Sequence, residues 1–262
     1  MMSPSQLAKA MLFLANHGVN PFNQENNISP TLPDLLKDIG YTPYRYQLDA
    51  VAQALAIIKD YNGVIIADVV GLGKTIIACA VARELRKRGL VICPPGLMGD
   101  KDKKSGWRMY LEQFGLTDWD VRSAGDLENT AEYVQRINDF EVVIIDEAHR
   151  FRNQDTKDYE FLKNISRNKI VILLTATPFN NRPSDILSLL KLFITPKKSS
   201  ITLENNLVSR FKRYQNAFEK LSYISRYANS ANPNNRRRAQ SDYETLFGET
   251  FINLSKVKER SQ

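Results

Sequence analysis

Cysteine and histidine are scarce here, two of each in 262 residues. Cys79 and Cys93 offer no disulfide framework and, with so few histidines, no thiolate or imidazole metal cluster. Cys79 reads as a small core residue, and the expected compartment is the reducing cytoplasm. His17, beside Gly18, reads as a helix-end residue. Long hydrophobic runs are also missing: none approaches the ~20 residues of a membrane span. Met11-Leu12-Phe13-Leu14-Ala15 is too short for a signal peptide core and too weakly basic in front. No membrane partner is therefore expected. Charge bias is absent from residues 1–196, where acidic and basic side chains balance. Residues 197–262 carry 13 basic against 6 acidic side chains, which accounts for the whole net charge of +7. A neutral body with a basic appendage fits a nucleic-acid partner gripped by its phosphates; the alternative is a solvated helical face.

The length suits one large α/β domain plus an appendage. Its most informative segment is Gly71-Leu72-Gly73-Lys74-Thr75. The residues before it, Gly63-Val64-Ile65-Ile66-Ala67, read as a short buried strand. Those after it, Thr75 to Arg88, read as a helix ending at Gly89, with Ile76, Ala80, Val81, Glu84 and Leu85 at helical spacing. The loop thus joins a strand to a helix N-terminus. Gly71 and Gly73 let backbone N–H groups curl around an anion, and the helix dipole favours negative charge there. In such a loop Lys74 reaches the β- and γ-phosphates of a nucleotide and Thr75 ligates magnesium. Leu72 and Ile76 complete the phosphate-facing segment. Asp68 stands where the strict GxxxxGK[ST] pattern has a small residue.

Asp146-Glu147-Ala148-His149 follows the β-branched run Phe140-Glu141-Val142-Val143-Ile144-Ile145, which reads as a central parallel strand. A carboxylate at the carboxyl end of such a strand faces the crevice where open α/β sheets bind ligands. Asp146 is expected to hold magnesium, and Glu147 to orient or deprotonate an attacking water. The gap from Lys74 to Asp146 suits two intervening α/β units. A third run, Lys169-Ile170-Val171-Ile172-Leu173-Leu174, ends in Thr175-Ala176-Thr177-Pro178. The hydroxyls of Thr175 and Thr177 can bond a neighbouring acidic loop and relay the state of a phosphate, with His149 as the other member of that coupling set.

These elements, in this order, resemble the first lobe of superfamily 2 helicase-like ATPases, and more closely the Swi/Snf-type translocases. The family's DEMGLGKT loop compares with Asp68-Val69-Val70-Gly71-Leu72-Gly73-Lys74-Thr75. Its DEAHRLKN compares with Asp146-Glu147-Ala148-His149-Arg150-Phe151-Arg152-Asn153, and its LLTGTPIQNN with Leu173-Leu174-Thr175-Ala176-Thr177-Pro178-Phe179-Asn180-Asn181. Tyr44-Arg45-Tyr46-Gln47 is similar to the family's RPYQ, with the arginine one place off and the proline missing. By that resemblance Gln47 reads the adenine edge. Val91-Ile92-Cys93-Pro94-Pro95-Gly96-Leu97, with Trp107 further on, looks like the family's next motif, which places Pro94 and Pro95 near a nucleic-acid track. The likeness runs from about Thr42 to Phe193. It implies a RecA-like P-loop domain with a mostly parallel sheet flanked by helices, ATP and Mg2+ as cofactors, and double-stranded DNA as partner. It also implies a C-terminal RecA-like lobe, which normally closes over the nucleotide and supplies an arginine. Neither a second strand-rich block nor a QxxGRxxR arginine pair follows here, so that lobe is expected to be missing and isolated turnover slow. The arginine's loss costs about 10³–10⁵ in rate.

Three segments follow: 1–34, a helix from Pro4 and an Asn- and Pro-rich loop; 35–196, the nucleotide lobe; and 197–262, a basic helical protrusion. Within the lobe, Tyr46–Tyr61 reads as a helix, Met109–Phe114 and Trp119–Arg122 as weaker elements, Asp126–Asp139 as a helix, and Ser184–Phe193 as an apolar helix started by Pro183. In the protrusion, Leu207, Phe211, Tyr214, Phe218, Leu221 and Ile224 recur at helical spacing, Asn232-Pro233 breaks the run, and a second helix follows Arg236-Arg237-Arg238. The apolar stripe is expected to be hairpin core and the three arginines to meet phosphates. Three functional readings stay open. They are a double-stranded DNA translocase lobe, a helicase subunit of a restriction or defence system, and an ATP-sensing protein-interaction module.

Overall fold

A computed structural model describes residues 28–67, 71, 73–176, 183–194 and 207–248. The expected helix within residues 1–17, Leu72 and Thr177 lie outside them. Contacts divide the chain into an α/β unit, Gly18–Asn180 with Ser188–Thr195, and a second unit of Met1–His17, Asn181–Leu187 and Pro196–Gln262.

Among the described residues the α/β unit opens with α1 (Leu32–Asp38), whose first turn overlaps the end of the expected Asn- and Pro-rich loop. Pro33 sits in its first turn, where a missing N–H costs nothing, and Leu32 and Leu36 bury one face. Next come α2 (Arg45–Tyr61), β1 (Gly63–Ala67), α3 (Lys74–Leu85), β2 (Gly89–Cys93) and a 3₁₀ turn at Pro95–Leu97. They are followed by α4 (Gly106–Gln113), β3 (Asp120–Ser123), α5 (Leu127–Ile137) and β4 (Val142–Ile145). A second 3₁₀ turn (Ala148–Phe151) leads to α6 (Lys157–Ser166) and β5 (Ile170–Thr175), and α7 (Pro183–Leu190) is divided between the two units after Leu187. The loop helix α3 stops earlier than its spacing suggests. Arg86, at φ 53°, turns the chain out of the helix, and Gly89 begins a strand.

All five strands are parallel, in the order β1-β5-β4-β2-β3. Strand periodicity then divides the core in two. Val91, Cys93, Val142, Ile144, Ile172 and Leu174 face the layer holding α1 to α4. Leu90, Ile92, Val143, Ile145, Val171 and Leu173 face α5 and α6. Sheet residues buried on both faces explain the unbroken apolar runs in the sequence. Two strands, β2 and β3, intervene between the glycine-rich loop and the acidic quartet, as the spacing implies. The order places β5 between the strands that precede those two motifs, with Ala67 opposite Thr175 and Ile145 opposite Leu173.

The second unit contains α8 (Leu207–Tyr227) and α9 (Pro233–Phe247). They form a hairpin with Ile224, Ala228, Ala239 and Tyr243 at its centre. The side chains of Lys220 and Asp242, and of Tyr223 and Asn235, face each other across it. The stripe read from the sequence is divided: Ile224 is buried in the hairpin, whereas Tyr214 and Phe218 stay more than a third exposed. Arg236, Arg237 and Arg238 lie inside α9, not ahead of it, because Asn232 caps the helix through the Asn234 N–H and Pro233 starts it.

Candidate nucleotide site

A parallel sheet gathers its carboxyl ends along one edge, and here that edge carries the loops after β1, β2, β4 and β5. At the first, Gly71 and Gly73 take φ values of 94° and 80°. Gly73 is the residue before α3, and no side chain caps that helix. The first internal bond runs from the Ile77 N–H to the Gly73 carbonyl, 3.0 Å. The first-turn N–H groups of Lys74, Thr75 and Ile76 therefore point out of the helix end with its positive dipole behind them. All three residues are only partly buried.

Gln47, on the first turn of α2, is 5% exposed. Its amide rests on the loop: a methyl group at Gly73 would sit 2.5 Å from Gln47 Nε2. Just before it, the rings of Tyr44 and Tyr46 stack at 5.7 Å between centroids and are about half exposed.

Asp146 is held from two sides. Its Oδ1 accepts the Glu147 backbone N–H at 2.8 Å, and its Oδ2 accepts the Trp107 indole N–H, also at 2.8 Å. Burial pushes the Asp146 carboxyl above its ordinary value, while those two hydrogen bonds pull it down. The Glu147 charge raises it further and the Lys74 ammonium lowers it, so both groups lie within electrostatic reach of this carboxylate. Glu147 takes a left-handed backbone, φ 52°, which aims its N–H at Asp146. Its Oε2 lies 3.0 Å from His149 Nδ1, near enough for a charge contact though not aligned as a hydrogen bond. Thr175 ends β5 almost fully buried.

The structure thus brings together Gln47, Gly71, Gly73, Lys74, Thr75, Ile76, Asp146, Glu147, His149 and Thr175. Pro94 is half-buried and Pro95 exposed on the turn after β2. The arginines of α9 belong to the other unit. Arg238 stacks 4.2 Å from the Tyr223 ring centre and lies 3.8 Å from Asp242, so part of its capacity serves the hairpin. Arg236 reaches the Ser230 carbonyl at 3.4 Å.

Trp107, noted in the sequence only as part of the motif after β2, makes a contact that its motif does not announce. It is 2% exposed and packs in the core. The element expected from Met109 begins at Gly106, which brings Trp107 into α4. A large buried indole needs an acceptor for its N–H, and that requirement was the available signal.

The donor set fits a magnesium nucleotide. An uncapped helix start and a lysine suit the phosphates, and a hydroxyl and a carboxylate suit magnesium, which keeps several waters and phosphate oxygens as ligands. Among the described residues no three His, Cys, Asp or Glu side chains form a metal cage. No helix among them is long and apolar enough to cross a membrane.

Known proteins are similar to this chain. Residues 110–226 match the SNF2-related domain family. The chain is 31% identical over 212 residues to an uncharacterised ATP-dependent helicase of Bacillus subtilis, covering 75% of this chain and 37% of that protein. It is 31% identical over 182 residues to the chromodomain-helicase-DNA-binding protein 1-like of Danio rerio, covering 58% of this chain and 17% of that one. The chain therefore spans well under half of these relatives. Among solved structures, the Sulfolobus solfataricus SWI2/SNF2 ATPase core in complex with dsDNA aligns over 77% of this chain and 57% of its own, at 18% identity and a TM-score of 0.47. With its glycine-lysine-threonine loop and acidic quartet on one edge of an all-parallel sheet, this chain carries a helicase-like ATPase lobe of the SNF2-related family.

Proposed function

We propose that this chain is the ATP-binding motor lobe of a DNA-dependent ATPase that moves along double-stranded DNA, hydrolysing ATP to ADP and phosphate when a second RecA-like lobe closes on it. The observation that carries the reading is the placement of the two motifs: Lys74 begins the helix after β1 and Asp146 follows β4, strands separated only by β5, so both stand at the carboxyl edge of one parallel sheet.

In this reading the Gly71–Ile76 segment, Leu72 included, cradles the phosphates, and Lys74 neutralises the β- and γ-oxygens. Thr75 and Asp146 are the protein's ligands to magnesium, which when bound screens the phosphate charge. Glu147 orients the attacking water and accepts its proton. Gln47 selects adenine from its place against Gly73, and His149, Thr175 and Thr177 couple the nucleotide state to the neighbouring surface. Pro94, Pro95 and the basic hairpin with Arg236 and Arg237 are the candidate DNA contacts. DNA as partner is supported by the motif resemblance, the basic second unit and the DNA-binding name of the zebrafish relative.

Lys74→Ala tests the site. Binding of a fluorescent ADP analogue is expected for the wild-type chain and at least tenfold weaker for the variant. Equal binding removes Lys74 from the phosphate site. DNA affinity that falls with salt at a log–log slope of about −0.9 per phosphate contact supports the nucleic-acid track, and no DNA binding at low salt favours a protein-interaction module. In a protein with both lobes, DNA-stimulated ATPase without strand displacement supports translocation, and unwinding favours the helicase reading.

A further inference from the structure

Trp107 and Asp146 meet across 39 positions of sequence, and the meeting is built from both sides. On the tryptophan side, the start of α4 is fixed to the turn after β2 by backbone packing. Gly99 and Gly106 touch main chain to main chain: a methyl group on Gly106 would lie 2.5 Å from the Gly99 nitrogen, and one on Gly99 would collide with the Ser105 carbonyl. The Arg108 N–H donates to the Met98 carbonyl at 3.1 Å, and its guanidinium donates to the Gly99 carbonyl at 2.5 Å. The indole, 2% exposed, has no freedom to turn away.

On the aspartate side, each carboxylate oxygen accepts one hydrogen bond, Oδ1 from Glu147 and Oδ2 from Trp107. A carboxylate has about four acceptor positions. Two donors approaching from different elements fix the plane of the group and leave one position on each oxygen for other ligands. The chain's other tryptophan is a useful contrast: Trp119 gives its N–H to the Lys87 carbonyl at 3.0 Å, a backbone bond away from the nucleotide edge.

We infer that Trp107 is a positioning residue for magnesium: its indole N–H holds the Asp146 carboxylate in the orientation that receives the ion. It touches neither ion nor nucleotide and acts only through Asp146. The inference rests on the magnesium role proposed for Asp146. Outer partners of metal-binding carboxylates typically contribute 10–100-fold in metal affinity.

The test uses the 262-residue chain and a fluorescent ADP analogue, with binding measured without magnesium and across a magnesium titration. Trp107→Phe removes the N–H and keeps an aromatic ring, and Trp119→Phe is the control. Trp107→Phe is expected to raise the magnesium concentration at half effect by about tenfold and to leave magnesium-free binding unchanged, while Trp119→Phe shifts neither. A benzothienylalanine at position 107 keeps the bicyclic shape without the donor and should reproduce the shift, which separates the hydrogen bond from packing. In the wild-type chain the Trp107 indole ¹⁵N–H resonance should move on adding magnesium to the ADP complex, and that of Trp119 should not. An unchanged magnesium midpoint with the benzothienyl residue, or a Trp107 resonance indifferent to the ion, overturns the inference even where Lys74→Ala abolishes binding. Failure of the wild-type chain to bind ADP at all overturns the nucleotide reading instead.

Discussion

Gln47 lays its side-chain amide on the backbone of Gly73, so closely that a β-carbon there would stand 2.5 Å from Gln47 Nε2. The residue expected to read adenine and the loop expected to hold phosphate are one packed assembly. Gly73 also adopts φ 80°, a conformation costing an L-residue about 1–2 kcal/mol. Gly73→Ala should therefore lower ADP-analogue affinity by at least tenfold, with a smaller fall in thermal midpoint, measured by binding fluorescence and by calorimetry. Unchanged affinity would show that the loop rearranges freely around Gln47.

Glu147 contributes its backbone and its side chain separately. The N–H orients Asp146, and the carboxylate faces His149. Glu147→Gln keeps the backbone bond and removes the base. Nucleotide affinity should stay within about twofold, while phosphate release by a protein containing both lobes should fall by about 10²–10⁴, the usual contribution of a general base. Equal turnover would remove Glu147 from the chemistry.

The two thiols should be silent in the folded chain. Burial raises both Cys79 and Cys93, and the Asp146 charge adds to the effect; Cys93 is pushed up to about 12. At pH 8 a thiol with that value is thiolate in only about one molecule in 10⁴. A disulfide reagent at pH 8 should titrate no thiol natively and two in urea. The sign for stability follows: the folded state keeps these protons longer than the unfolded state. The contribution is complete below about pH 9 and is lost as pH rises towards 12. Denaturant midpoints should fall over that alkaline window, and less so in a Cys79→Ala, Cys93→Ala chain.

The arginine cluster on α9 should separate by role. Arg238 stacks on Tyr223, a contact contributing about 0.5–1 kcal/mol at an exposed site. Arg238→Ala should lower the hairpin's stability, read by amide exchange over residues 220–243. Arg237→Ala should leave exchange unchanged and reduce the log–log salt slope of DNA binding by about 0.9. A reduced slope for neither variant would move the DNA contacts off this cluster.

The amino-acid sequence by itself determined the parts whose physics is local. Val142–Ile145 and Ile170–Leu174 announce buried strands because β-branched runs without a polar face suit little else. Gly73-Lys74-Thr75 announces a helix start because a positive φ and an uncapped first turn need only neighbouring residues. Element ends were less legible: Arg86 leaves its helix in a left-handed turn that arginine does not advertise, and Pro33 reads as loop or first turn equally well. The tertiary structure alone decided what meets across the chain. It set β5 between the strands bearing the loop and the acidic quartet, pressed Gln47 onto Gly73, gave Arg238 to Tyr223 and turned Trp107 inward to Asp146. Those outcomes follow from strand order and helix placement, where the burial of many side chains is settled together, and no window of neighbouring residues contains that sum.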